Sequence, residues 1–274
     1  MDKLQPGELE LWASLIRDKT GIHIEPAKAY LFSNRLRPVL KKYGHPNLMV
    51  LHQRVMDDPH GPEAEDVIHA ISTHETSFFR DSHPFLFLDH YICTNWLADL
   101  RSGSRPALRM WSAGCSTGQE SYSMAMVARD QQGRDPCWKA SIFANDISGP
   151  AIEHACRGIY RDEDVAVFEP VELKRHFTRI GSLWQVADEI KRLVAFEKLR
   201  LSAAFEGQGM FDVIFCRNVA IYFQPERRAR LFDRFAEHLA PDGIMVVGIS
   251  ESLWGVSARF KRENHKGFIY YRLK

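Results

Sequence analysis

The chain has 274 residues, of which 45% are hydrophobic and 26% charged, as in an ordinary globular protein. Its formal net charge of +1 favours neither nucleic acid nor a membrane surface as a partner. No apolar run approaches the ~20 residues that a membrane span needs. The five cysteines are scattered and form no Cys-x-x-Cys pair, which fits a cytoplasmic location and argues against a zinc site or any other structural metal.

Residues 1–90 show helical periodicity without strand patterning, which predicts a small all-α domain. A helix is predicted from Tyr30 to Tyr43, and Pro38 inside this segment should make it begin late or kink. Several basic residues lie away from its apolar face or at the edge of that face. They form either a solvated surface or a docking surface for an acidic partner, and they are Arg35, Arg37, Lys41 and Lys42.

The segment from Thr73 to Asp81 places two adjacent phenylalanines among Thr, His and Arg residues, at the edge of the helical domain. We expect Asp81 and Ser82 to cap the next helix, which is predicted from about Pro84 to Leu100. Residues 101–106 then have the composition of a linker.

A strand, a glycine-containing turn and a helix follow. Leu108–Trp111 is a short apolar run, the small residues after it include Gly114 and Gly118, and helical periodicity starts at Gln119. Such a unit opens nucleotide-binding α/β sheets, where glycines let the backbone come close to a ligand. Because the sequence has neither Gly-x-Gly-x-x-Gly nor a Walker motif here, the pattern alone leaves open whether this turn binds anything.

Asp146 follows the second predicted strand, which covers Lys139–Ala144. A carboxylate at this point of an α/β sheet can accept hydrogen bonds from ribose hydroxyls. Alternatively, Asp146 could cap the helix predicted from Pro150, although Ser148 can also serve as that cap.

The segment 158–200 departs from regular alternation of strands and helices. Two further strands, 183–186 and 193–196, cannot both fit between parallel strands, so we expect an inserted antiparallel β subdomain. A buried strand over Phe211–Cys216 ends in Arg217 and Asn218, at the strand end where open α/β sheets place their ligands.

Five motifs occur in one order. They are Thr-x-x-Thr-Ser-Phe-Phe-Arg from Thr73, Ser-Ala-Gly-Cys-Ser-Thr-Gly-Gln-Glu-x-Tyr-Ser from Ser112, Asn-Asp-Ile from Asn145, Phe-Asp-Val-Ile-Phe-Cys-Arg-Asn-Val-x-Ile-Tyr-Phe from Phe211, and Pro-Asp-Gly followed by Ser-Glu-Ser. In these motifs the chain resembles the chemotaxis receptor glutamate O-methyltransferases of the CheR family. The resemblance covers nearly the whole chain.

The resemblance implies an α/β fold with an all-α N-terminal domain and a class I, Rossmann-like methyltransferase domain. The first domain would cover residues 1–90, with a linker helix to about 106. The second would cover 107–274 and carry the inserted antiparallel β subdomain at 158–200.

The implied reaction moves the methyl group of S-adenosylmethionine to glutamate carboxylates of chemotaxis receptors, which yields S-adenosylhomocysteine and serves sensory adaptation. No metal and no general base are needed, because a glutamate is already ionised at pH 7. The partner would be the cytoplasmic helical bundle of a membrane chemoreceptor, which favours the docking role of the basic helix. The compact turn at 179–183 argues against tethering to a receptor C-terminal peptide.

The resemblance also implies which residues form the site. The residues expected near the cofactor are His74, Thr76, Arg80, Glu120, Asp146, Arg200, Leu201, Arg217 and Asn218, and those expected at the transferred methyl are Arg80 and Tyr222. His74 and Arg200 stand where family members commonly have Asn. Two other classes compete with this reading, namely a methyltransferase that acts on RNA or a small molecule and a non-enzymatic module that binds the cofactor.

Overall fold

The structure is a computed structural model that describes residues 6–24, 29–203, 205 and 207–274, so residues 1–5 of the expected first domain lie outside it. The N-terminal part is helical, as predicted, and its helices pack their apolar faces into one core around Trp12, Leu36 and Leu51. These helices are α1 (Pro6–Thr20), α2 (Ala29–Tyr43), α3 (Leu48–Asp57) and α4 (Pro62–Ile71).

The second helix does not begin late at its proline. α2 begins at Ala29 and continues through Pro38 to its end. A proline inside a helix removes one backbone hydrogen bond and costs about 3 kcal/mol. Here Phe32, Leu36 and Val39 are buried in the domain core, and this packing keeps the helix in one piece.

The remaining elements follow in chain order. They are α5 (His83–Asn95), α6 (Leu97–Ser102), β1 (Leu108–Ala113), α7 (Gln119–Arg134), β2 (Ala140–Asp146), α8 (Gly149–Arg157), β3 (Ile159–Tyr160), α9 (Pro170–His176), β4 (Phe177–Ile180), β5 (Leu183–Val186), α10 (Asp188–Lys191), β6 (Val194–Lys198), β7 (Phe211–Cys216), α11 (Pro225–His238), β8 (Leu239–Val247), β9 (Phe260–His265) and β10 (Phe268–Leu273).

Seven strands form the main sheet in the order β6-β2-β1-β7-β8-β10-β9. The first five in this order are parallel, whereas β10 runs antiparallel to β8 and β9 runs antiparallel to β10. The carboxyl ends of β1, β2 and β7 therefore meet at one edge of the sheet. The prediction of an all-α domain followed by a Rossmann-like domain is therefore confirmed.

The inserted antiparallel sheet contains other strands than expected. It has the order β3-β5-β4, and it does not include the strand predicted at 193–196. That strand lies in β6, at the edge of the main sheet, where Val194 pairs with Ile142 of the parallel strand β2. The expectation was wrong because the short helix α10 returns the chain from the small sheet to the main one.

The predicted linker, residues 101–106, and the helix before it are both bonded to the main sheet. One helix was expected over 84–100, but the chain divides into α5 and α6 at Trp96, whose Nε1 donates to Asp242 Oδ2 over 2.8 Å. Within the segment 101–106, the guanidinium of Arg105 forms ion pairs with both Asp242 and Asp212. The segment is therefore held against the amino end of β7.

Trp111 lies at the centre of the main sheet and is fully buried. Its Nε1 donates to Asn145 Oδ1 over 2.7 Å, and its ring packs against Phe205, Phe211 and Phe235. Trp111 therefore contacts both the aromatic core on one face of the sheet and a polar residue near the carboxyl end of β2.

We therefore expect Trp111→Ala to lower the free energy of unfolding by about 3–5 kcal/mol, because it removes a buried aromatic side chain and leaves a cavity. Urea unfolding would measure this loss, with Trp254→Ala as a matched control because Trp254 is exposed. Equal midpoints for the two variants would contradict the central role of Trp111.

Candidate functional site

A cavity of about 270 Å³ lies at the carboxyl ends of β1, β2 and β7. The N-terminal domain closes one side of it with Thr20, Ile22 and the segment 72–77. The cavity brings together the expected site residues other than Arg200, and these are His74, Thr76, Arg80, Glu120, Asp146, Leu201, Arg217, Asn218 and Tyr222.

The glycines of the first turn pack closely against neighbouring protein atoms. Gly114 has a φ of +80°, and a Cβ there would lie 2.5 Å from Val219 Cγ2. Gly118 has a φ of +98°, and a Cβ there would lie 2.9 Å from the Cβ of Ala155. The absence of a Cβ at both positions therefore allows the turn to pack closely on its neighbours, and Gly114 also lines the cavity.

Glu120 lies in the first turn of α7, where the helix dipole favours a negative charge. Its Oε1 accepts a hydrogen bond from Ser112 Oγ over 2.8 Å, and its Oε2 lies 3.1 Å from Arg217 Nη1. These contacts fix the carboxylate at the wall of the cavity.

Arg217 follows β7 and is only 5% exposed. Besides Glu120, its guanidinium contacts the carboxylate of Asp81 over 2.6 Å and the backbone carbonyl of Arg80 over 2.9 Å, both through Nη2. Asp81 was expected to cap a helix with Ser82, but Ser82 makes no side-chain cap bond and Asp81 is the partner of Arg217. A buried cation therefore lies between two carboxylates.

Asp146 does not cap the helix after β2. Ser148 is the N-cap residue of α8, because its Oγ accepts from the N–H of Ala151 over 3.3 Å. The Asp146 carboxylate instead accepts from the N–H of Ser116 and the N–H of Ser148, both over 2.9 Å. It lines the cavity and keeps lone pairs for a further donor.

His74 stacks on His69, with 4.4 Å between the ring centroids. Its Nε2 lies 3.0 Å from the carbonyl of His69 and must donate, so its Nδ1 can accept from Ser116 Oγ at 3.4 Å while the ring is neutral. Burial lowers the pKa of His69, and positive charge on His74 would lower it further.

Arg200 is placed away from the cavity that its neighbour Leu201 lines. Its Nη1 donates to the carbonyl of Lys19 over 3.2 Å, and Arg227 Nη1 donates to the carbonyl of Arg17 over 2.7 Å. Both cations thus hold the carboxyl end of α1, where the helix dipole favours positive charge. The side chain of Arg200 therefore joins the two domains and does not line the cavity.

Tyr222 is held by the N-terminal domain. It belongs to a single 3₁₀ turn, Ala220–Tyr222, and its carbonyl accepts from the N–H of His23 over 2.9 Å. Ile22 forms an antiparallel bridge with Phe223 beside it. No sequence pattern indicates these contacts, because the two segments are distant in the chain.

Glu251 is a further residue that the motif analysis quoted without assigning a role. Its Oε2 accepts from the N–H of Asn218 over 2.6 Å and from the N–H of Gly248 over 2.8 Å. Within the described part of the chain, its Oε1 is buried without a hydrogen-bond partner. Burial raises the pKa of this carboxyl, although the backbone N–H groups oppose the rise. Its place just after β8 was the signal that could have identified it.

The four basic residues of α2 differ in their surroundings. Arg35 donates to the carbonyl of Ile71 over 2.7 Å, and Lys42 pairs with Asp66. Arg37 and Lys41 are exposed and have no ion-pair partner among the described residues.

The described ranges contain no group of three or more His, Cys, Asp or Glu residues that could hold a metal ion. Over the same ranges, no helix combines the length and the apolar character that crossing a bilayer would take.

Comparisons with known proteins agree on one family. Residues 7–72 match the model of the CheR methyltransferase all-alpha domain, and residues 74–269 match that of the CheR methyltransferase SAM-binding domain. A chemotaxis protein methyltransferase of Vibrio anguillarum is 33% identical over 269 residues, covering 96% of this chain and 95% of the relative. That of Escherichia coli strain K12 is 36% identical over 255 residues, covering 90% and 85%. Chemotaxis protein methyltransferase 1 of Pseudomonas aeruginosa is 33% identical over 274 residues, covering 97% and 98%.

The raised pKa of Glu251 predicts a pH dependence. Its folded-state pKa exceeds its unfolded one, so its contribution to stability is complete below the usual Glu pKa of about 4.3 and is lost as pH rises through the folded pKa. Glu251→Gln removes this titration, so the Tm of the variant should rise relative to that of the native protein as the pH increases above about 4.3. Thermal unfolding at several pH values would measure the difference, and a difference independent of pH would contradict the assignment.

Proposed function

Since this chain belongs to the CheR methyltransferase family, we propose that it methylates glutamate side chains of chemotaxis receptors. The chain is an S-adenosylmethionine-dependent methyltransferase. The products would be glutamate methyl esters and S-adenosylhomocysteine, and the role would be sensory adaptation. One observation carries the proposal, namely that Glu120, Asp146, Arg80 and Tyr222 line a single cavity at the carboxyl edge of the sheet.

The cavity fits this cofactor chemically. When bound, S-adenosylmethionine supplies an electrophilic methyl group on a positively charged sulfonium. Glu120 would accept hydrogen bonds from the ammonium of its methionine part, and Asp146 would accept them from the ribose hydroxyls. Leu201 is buried at the wall and offers an apolar surface for the adenine. His74, Thr76 and the segment Arg217–Asn218 would complete the enclosure.

The acceptor carboxylate needs no deprotonation, because a glutamate is ionised at neutral pH. The remaining tasks are to orient it in line with the methyl group and to exclude water. Arg80 and Tyr222 would orient it. The Nη1 atom of Arg80 donates to the carbonyl of Glu75 over 2.8 Å, which fixes the guanidinium and leaves other N–H groups for a substrate.

The assay for this function uses labelled S-adenosylmethionine and membranes that contain chemoreceptors. We expect base-labile methyl groups on receptor protein, because mild base hydrolyses an ester and leaves an N-methyl group intact. Arg80→Ala and Tyr222→Phe should each lower kcat by about 10²-fold, since a misplaced acceptor reacts slowly, while cofactor affinity changes little for Tyr222→Phe.

Three outcomes would contradict the proposal. Base-stable label, or label on RNA or a small molecule, would indicate another substrate class. Cofactor binding without transfer would indicate a binding module. Unchanged turnover in both variants would remove Arg80 and Tyr222 from the methyl-transfer site.

We propose that α2 docks the acidic cytoplasmic helical bundle of the receptor. Arg37 and Lys41 are the strongest candidates, because their charges face solvent without a partner within the described ranges. Arg35 and Lys42 would contribute less, since both already have partners in the N-terminal domain.

Reversing both free charges, in Arg37→Glu with Lys41→Glu, should raise the KM for receptor several-fold and flatten its dependence on salt. The KM for the cofactor should stay the same. The control is Lys139→Glu with Lys174→Glu, which reverses two exposed charges elsewhere. A receptor KM that is insensitive to salt in the native enzyme would argue against docking by charge.

The domain limits proposed here are 1–90, a linker to about 106, and 107–274, with the inserted part ending before β6. The hairpin of β4 and β5 turns in only two residues, Gly181 and Ser182, so we propose that this compact subdomain does not tether a receptor C-terminal peptide. A cytoplasmic location follows from the proposed partner, and we propose no metal, nucleic acid or membrane insertion.

A further inference from the structure

Two large apolar side chains stand out from the rest of the described surface. Ile249 and Trp254 are 87% and 85% exposed, more than any other large hydrophobic residue in the described ranges. Both lie beyond the carboxyl end of β8 and line one depression, together with the basic residues Arg262 and Lys266. We call these four residues the Trp254 patch.

The patch adjoins the catalytic cavity. The depression is also lined by Asp81 and Glu251. These carboxylates hold Arg217 and the backbone of Asn218, which are part of the cavity wall. Two acidic side chains that line the depression are thus in contact with residues that line the cavity.

The charge of the patch is uncompensated. Arg262 and Lys266 form no ion pair within the described part of the chain. Of the two acidic groups that line the depression, Asp81 is paired with Arg217, and Glu251 accepts from backbone N–H groups. An apolar centre surrounded by polar or charged residues is typical of protein-binding sites. Tryptophan is among the residues that contribute most to the binding free energy at such sites.

We propose that the Trp254 patch binds the helix of the substrate protein that carries the methyl-accepting glutamates. This inference rests on the proposed function. Apolar residues three or four positions apart on the helix would cover Ile249 and Trp254, and glutamates on the flank of the same helix would face Arg262 and Lys266. The patch would thereby position the next glutamate along the helix at the cavity.

Charge argues against a second copy of this chain as the occupant. A two-fold symmetric dimer through the patch would bring the patch onto itself. Arg262 and Lys266 of one copy would then meet the same cations of the other, and like charges at an interface are unfavourable. An acidic helix meets the opposite charge.

Fluorescence quenching can detect the contact directly. Trp12, Trp96, Trp111 and Trp138 are buried, and Trp184 is half-buried, so in a Trp184→Phe background quenching by iodide reports mainly on Trp254. The probe is a tryptophan-free cytoplasmic fragment of a chemoreceptor that includes its methylation sites. We expect the fragment to reduce quenching severalfold, and to have no such effect when Trp254→Ala is added.

Kinetics provide the second measurement. Trp254→Ala should raise the KM for receptor about tenfold, and Arg262→Glu with Lys266→Glu should raise it as well, since both remove contacts at the edge of the cavity. The KM for the cofactor should not change, because none of these residues lines the cofactor cavity. Val171→Ala is the control, because Val171 is 72% exposed on α9, away from the patch.

The outcomes separate the two proposals. If the native enzyme methylates receptor glutamates while these variants keep the native KM and quenching, the patch proposal is overturned and the function stands. Absence of receptor methylation by the native enzyme overturns the function itself. A dimer that Trp254→Ala dissociates, or receptor-free binding to phosphatidylserine vesicles that it abolishes, would assign the patch to another occupant.

Discussion

The buried guanidinium of Arg217 joins three parts of the molecule that are distant in sequence. It extends from the end of β7, pairs with Glu120 at the start of α7, and pairs with Asp81 in the segment that connects the two domains. Removing one of these three side chains would leave a buried charge without its partner. Such a loss lowers the stability of a protein far more than the loss of an exposed ion pair does. The strand end, the helix and the interdomain segment are therefore positioned together, and the cavity depends on this cluster.

The N-terminal domain does more than cover the cavity. His23 holds the backbone of Tyr222, Arg200 reaches from the catalytic domain to the end of α1, and His69 Nδ1 lies 2.8 Å from Ser148 Oγ at the cap of α8. α2 packs within the same helical domain as these contacts. A substrate that docked on α2, as we propose, would therefore bind the same domain that holds the backbone of Tyr222.

Local chemistry explains which features could be predicted from sequence. The buried strands, the cap at Ser148 and the residues after β7 follow from patterns within a few positions. Most residues of the cavity were identified from the five motifs that this chain shares with the CheR family. The partner of Asp81, the placement of Arg200 and the return of β6 to the main sheet depend on contacts between distant segments. Sequence periodicity carries no information about such contacts, so local propensity assigned Asp81 to a cap and β6 to the wrong sheet.

The fit of Gly114 against Val219 constrains how this chain can vary. Gly114 belongs to the motif after β1 and Val219 to the motif after β7, and no side chain fits at the first position unless the second becomes smaller. In addition, residue 114 has a positive φ, a backbone conformation that costs free energy for any residue with a Cβ. Over evolutionary time a replacement of Gly114 should therefore be accompanied by a smaller residue at position 219, whereas residue 219 can become smaller while Gly114 is kept.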